Sequence, residues 1–151
     1  MPDRPPAIAV ALREWQAVTD DLVAIARGFD PARLDGASGC GSWTNRQLLA
    51  HMATGYGVRI AALRAAVEGA PGPEIDAGEA NAANMARLGW APLHEIAAAM
   101  MQVRGRVLVL LGQLGPEHLA VRTALAGGSE LGQALSSLNA HDLEHAAELR
   151  G

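Results

Sequence analysis

The chain has no lysine, one cysteine and very few aromatic side chains, and each scarcity excludes something. A lone Cys40 has no partner for an intramolecular disulfide. Aromatics make up 3% of the 151 residues although 50% are hydrophobic, so the core must be Leu, Val and Ala on closely packed helices, which argues against a sheet-rich fold. The 12 basic residues are all arginine and face 16 acidic ones, for a net charge of −4. No stretch gathers the arginines into a stripe, so neither nucleic acid nor an anionic membrane is an expected partner. Long uncharged apolar runs are also missing. The longest apolar stretch, 96–114, carries Gln102, Arg104, Arg106 and Gln113 and is too polar to span a bilayer. The N-terminus, Met1-Pro2-Asp3-Arg4-Pro5-Pro6, leads into an apolar run that Arg13 and Glu14 end too soon for a signal peptide, so a cytoplasmic location is expected. At this length a single domain over residues 1–151 is expected.

What is present is helical periodicity. Ile8, Leu12, Trp15, Val18, Leu22 and Ile25 recur at three- and four-residue steps until Gly28 and Pro31, which predicts a first helix over 6–28. A loop rich in Gly, Ser and Pro follows over 29–43. Thr44 with Gln47 matches a capping box, and Trp43 with Leu48 a hydrophobic staple, so a second helix is predicted over 45–69. Its main stripe is Leu48, Met52, Tyr56, Ile60, Leu63 and Val67, while His51 shares a second, mostly small face with Gly55, Val58 and Ala62. Beyond Pro71, Gly72 and Pro73, a short helix-prone segment over 77–89 precedes a longer one that has Pro92 in its first turn. This longer helix carries Leu93, Ile96, Met100, Val103, Val107, Leu110 and Leu114, and ends at Gly115-Pro116. Residues 117–128 read as a connector. A last helix over 129–149 has a stripe of Leu131, Leu135, Leu138 and Leu149 into which Asp142 and His145 intrude, with His141 on its edge.

Those intruding polar groups point to chemistry. His141 and His145, four residues apart, project from one helix face roughly 40° apart and can chelate one cation together. With His51 they form a three-imidazole set that leaves coordination positions open, the usual pattern of catalytic rather than structural zinc. Burying unpartnered polar groups costs about 1–3 kcal/mol each, which a metal and its outer partners would offset. Asp142 and Glu148 are the candidates to orient an imidazole or act as a base, whereas Glu144 reads as solvated and His94 and His118 as structural or exposed. Seven helical residues from Thr44 to His51 span roughly 10 Å, which sets Cys40 away from the metal set and argues against a role as nucleophile or fourth ligand. Trp43 reads as staple and core.

Two segments carry a resemblance. Cys40, then Trp43-Thr44-Asn45-Arg46-Gln47-Leu48-Leu49-Ala50-His51, resembles the Cys-x-x-Trp-Thr-x-x-x-Leu-x-x-His signature of the mycothiol-dependent maleylpyruvate isomerase metal-binding domain. His141-Asp142-Leu143-Glu144-His145-Ala146-Ala147-Glu148-Leu149 resembles the closing helix of the wider DinB-like superfamily. The stretch Glu79 through Asn81 and Asn84 to Leu88 is similar to the segment before the third long helix of those proteins. The resemblance covers nearly the whole chain and implies an all-α four-helix bundle, with a divalent metal (zinc, or nickel or iron) on His51, His141 and His145.

The activity implied is S-transfer or isomerisation with a low-molecular-weight thiol such as mycothiol. Mycothiol suits the Arg-only, Ala- and Gly-rich composition of a GC-rich genome. The expected partners are a small thiol and an electrophile. The sequence ends at Gly151 without the C-terminal extension of the two-domain isomerases. Maleylpyruvate isomerisation itself is therefore less expected than another thiol transfer, a pocket completed across a subunit interface, or metal binding without catalysis. Two further readings stand beside these: a non-enzymatic dimeric binding protein, and a metal-dependent hydrolase in which water replaces the thiol. The small face of the second helix would allow the close packing a homodimer needs.

Overall fold

Pro6 opens helix α1 (Pro6–Gly28) at a position where its missing N–H costs nothing, and the helix runs to the predicted stop. In the computed structural model, residues 3–150 are described apart from 56, 71–75, 124, 126 and 127. Tyr56 of the second-helix stripe, the Pro71–Pro73 break, the two leading residues, Gly151 and part of the 117–128 connector therefore lie outside the described residues.

The second predicted helix is two: α2 (Asn45–Thr54) and α3 (Gly57–Glu68). Thr44 and Gln47 do form the reciprocal capping box, each side chain bonded to the other's backbone N–H at 3.1 and 3.0 Å. The break falls at Gly55, where a Cβ would stand 2.9 Å from the carbonyl oxygen of His51. Glycines at 55 and 57 remove the side chains that would resist the kink, and periodicity of apolar residues cannot register it. The next rod is in two pieces as expected, α4 (Ala77–Leu88) and α5 (Leu93–Gly112), with Pro92 just before the first turn rather than in it.

The last helix also divides, into α6 (Leu131–Ala134), a 3₁₀ turn over Leu135–Ser137 and α7 (Ala140–Arg150). Ser136 and Ser137 donate their hydroxyls to the carbonyls of Gln133 and Ala134, three residues back, and such back-bonding bends a helix. Among the described residues there is no strand, only two isolated bridges. The architecture is thus an all-α four-helix bundle made of α1, α2 with α3, α5, and α6 with α7, with α4 laid against α2.

The core has two apolar halves. One gathers Leu22 and Ala26 of α1, Leu48, Leu49 and Met52 of α2, Ile96 and Met100 of α5, and Ala146 and Leu149 of α7. The other gathers Ile8 and Trp15 of α1, Ile60 and Leu63 of α3, Val107 and Leu111 of α5, and Leu131, Leu135 and Leu138. The expected α5 stripe needs adjustment: Arg104 and Leu111 are fully buried, while Val103 and Leu110 lie at its edge. Between the halves runs a polar layer in which Arg104, Asn139 and Asp142 are buried.

Candidate metal centre

The three imidazoles come from two helices, α2 and α7. The capping box fixes the start of α2 and thereby the azimuth of His51, which is 8% exposed. His145 is 7% exposed on the inner face of α7, and His141 is half-exposed one turn earlier. One ligand atom from each of the three lies within 4.8 Å of the others. His141 Nε2 and His145 Nε2 are 3.0 Å apart. The His51 ring centroid is 5.3 Å from that of His141 and 5.1 Å from that of His145.

Two of the three remaining ring nitrogens have hydrogen-bond partners. His145 Nδ1 is 2.8 Å from Glu148 Oε2, and His51 Nδ1 is 3.1 Å from Asn81 Oδ1. His141 Nδ1 is 3.7 Å from Asp142 Oδ1. An imidazole whose Nδ1–H donates to a carboxylate or amide oxygen presents its Nε2 lone pair outward, the tautomer a metal requires. The donor set fits a divalent ion: two nitrogens sharing one zinc at about 2.0–2.1 Å lie roughly 2.8–3.4 Å apart at coordination angles near 90–109°.

The electrostatics agree with neutral ligands. Burial, then the neighbouring His141 and His145, push His51 down to about 4, so its imidazole is uncharged at neutral pH. Burial alone would raise the Asp142 carboxyl, but His141, Arg59 and Arg104 outweigh it and hold the group below the usual carboxylate range. A cavity of about 380 Å³ opens beside His51 and His141, lined by Thr54, Gly55, Val58, Asn81 and Asn84. Gly55 and Val58 are the small-face residues expected beside His51. A groove of similar volume between α1 and α5, reaching Thr19, Arg27 and Met101, contains none of these imidazoles.

A family model for the DinB superfamily matches residues 14–149. The chain belongs to the DinB superfamily. Its fold matches the crystal structure of a mycothiol-dependent maleylpyruvate isomerase with a TM-score of 0.80 at 17% identity, covering 94% of this chain and 60% of the isomerase. A histidine-to-alanine variant of that isomerase matches to the same degree. At such identity the likeness establishes the bundle, and the DinB chain spans about 60% of the isomerase's length. No curated protein matches the chain by sequence.

Within this DinB bundle, the structure places the other singled-out residues as follows. His94 is exposed and His118 accepts from the Gly115 N–H at 2.8 Å, so both stand outside the cluster, and Glu144 is exposed. No helix among the described residues is long and apolar enough to cross a membrane.

Cys40 needs correction. Its sulfur, a His145 nitrogen and a Glu148 oxygen lie within 4.8 Å of one another, an overlapping second cluster. Distance along the α2 axis does not see this, because the loop doubles back. Ser38 N–H donates to the Trp43 carbonyl at 2.9 Å, Gly41 adopts φ +55°, and Gly39 comes so near α7 that a Cβ would meet Glu148 Cβ at 3.4 Å. Burial, then the Glu148 carboxylate, pushes the Cys40 thiol up. Trp43 packs on the core as expected, and it also stacks against His51 with ring centroids 4.7 Å apart. Asn81, the partner of His51, was signalled only by its place in the segment before α5.

Proposed function

We propose that this DinB protein binds a divalent metal through His51, His141 and His145 and uses a low-molecular-weight thiol, such as mycothiol, in an S-transfer or isomerisation reaction. The observation that carries the reading is the convergence of three imidazoles, two of which have Nδ1 bonded elsewhere. Zinc suits three nitrogen donors, and nickel or iron is accepted by the same set. A divalent ion held there would supply the charge that favours thiolate over thiol at neutral pH and polarises a carbonyl.

The chain's own residues do the rest. Glu148 and Asn81 orient His145 and His51, and the low proton affinity of His51 keeps it available as a ligand. The cavity beside them offers carboxamides from Asn81 and Asn84 and, among the described residues lining it, no carboxylate or arginine. Such a lining suits an uncharged, hydroxyl-bearing thiol better than a highly charged one. The isomerase likeness supports the thiol class.

The test is a turnover assay of the zinc-loaded protein with mycothiol and a set of soluble electrophiles, following loss of free thiol for S-transfer and thiol-dependent conversion of the electrophile without thiol loss for isomerisation. Metal- and thiol-dependent turnover that disappears in His51→Ala is expected. Hydrolysis of esters or amides without thiol would overturn the reading in favour of metal-activated water, and metal uptake with neither activity would favour a binding protein.

A further inference from the structure

The polar layer between the two apolar halves is built around one side chain that the metal reading does not use. Arg104 is fully buried in the middle of α5. Its guanidinium lies 3.6 Å from the Trp15 ring centroid, and it donates to Thr19 Oγ1 at 2.6 Å, Asn139 Oδ1 at 2.9 Å and Asp142 Oδ2 at 2.9 Å. Trp15 returns a bond from its indole N–H to the Arg104 carbonyl at 3.0 Å. Arg59 of α3 reaches both oxygens of the same Asp142 carboxylate at 3.3 Å.

Asp142 is the sequence neighbour of His141, and His141 is the most exposed imidazole of the three. Its side chain is 52% exposed, and Asp142 Oδ1, 3.7 Å from its Nδ1, is the nearest anion to that nitrogen. A buried arginine–carboxylate pair is a poor source of net stability, because desolvation offsets its Coulomb gain. Such a pair gives orientation, since a planar guanidinium locked by an aromatic face and several acceptors holds a carboxylate in one place.

We propose that Arg104, assisted by Arg59, is a positioning residue for the candidate metal centre: it fixes the Asp142 carboxylate, and through it the ring of His141. The inference rests on the metal-binding reading above. The link runs from Trp15 and Thr19 of α1, through Arg104 of α5, to Asp142 and His141 of α7, so one side chain ties three helices to the exposed ligand.

The experiment compares Arg104→Lys, Asp142→Asn and the milder, peripheral Arg59→Met with Leu111→Ala, a core truncation remote from the layer that controls for lost stability. Two quantities are read: zinc affinity by competition with a chromophoric chelator, and the His141 tautomer in metal-free protein by long-range proton–nitrogen NMR. Arg104→Lys and Asp142→Asn are expected to weaken zinc binding about 10- to 100-fold. They should also turn a single His141 tautomer, protonated on Nδ1, into a mixture. Arg59→Met should do both to a smaller degree, and Leu111→Ala neither. The proposal is overturned if the layer variants that fold keep wild-type affinity within twofold and a single tautomer, or if Leu111→Ala produces the same changes. Should the wild type take up no zinc, the metal reading fails by that result alone, while the tautomer comparison still decides the role of Arg104.

Discussion

The indole of Trp43 lies against the imidazole of His51, with ring centroids 4.7 Å apart and planes inclined by 46°. The contact spans the first two turns of α2 because helix side chains lean toward the N-terminus, bringing His51 back over the residue that precedes the cap. Trp43 is therefore a built-in reporter. Adding zinc should change tryptophan emission in the wild type and in Trp90→Phe, whose parent indole is 79% exposed, but not in Trp43→Phe. A fluorescence titration of the three proteins checks this.

The cap that aims His51 has a measurable worth. Thr44→Ala removes the hydroxyl that accepts from the Gln47 N–H at 3.1 Å and should cost about 0.5–2 kcal/mol in urea unfolding. Thr44→Ser, which keeps the acceptor, should lose much less.

Acid should weaken the fold before carboxylates titrate. His51 has an ordinary value of 6.5 and is pushed down to about 4 in the folded chain, so below pH 6.5 the unfolded chain takes up a proton that the folded one refuses. This contribution to unfolding stability is fully present above about pH 6.5, falls as pH drops from 6.5 to 4, and is lost below 4. The buried Asp142, lowered by its cationic neighbours, contributes stability that is lost only at still lower pH. Thermal unfolding of metal-free protein followed from pH 7 to 4 should show a decline that His51→Gln flattens.

Glu148 faces two groups at once, His145 Nδ1 at 2.8 Å and the Cys40 thiol. Glu148→Gln should therefore have paired effects: zinc affinity falls about 10- to 100-fold, as for other partners of metal-bound histidines, and Cys40 reacts severalfold faster with iodoacetamide near pH 8. Chelator competition and timed alkylation read the two separately.

Much of this was legible in the chain because the signals were local and periodic. Helix α1, the capping box, the divided rod of α4 and α5, and the burial of Asp142 and His145 on a leucine stripe all follow from spacing within a few turns. The breaks were not, since apolar periodicity continues across Gly55 and across Ser136–Ser137 while backbone geometry does not. Cys40 was misplaced because a hairpin-like loop over 36–44 returns it to α7, a long-range contact that helix arithmetic cannot supply. Arg104 left a readable trace: it stands between Met100 and Val107 at core spacing, where a charge requires a partner, and the buried Asp142 is that partner.

The most direct test of the central claim is metal stoichiometry. Protein purified without chelator, supplied with zinc and desalted, should hold one ion per chain by elemental analysis, and folded His51→Ala and His145→Ala should hold well under half of that. Wild-type protein that retains no stoichiometric metal, or variants that retain as much as wild type, would contradict the assignment of His51, His141 and His145.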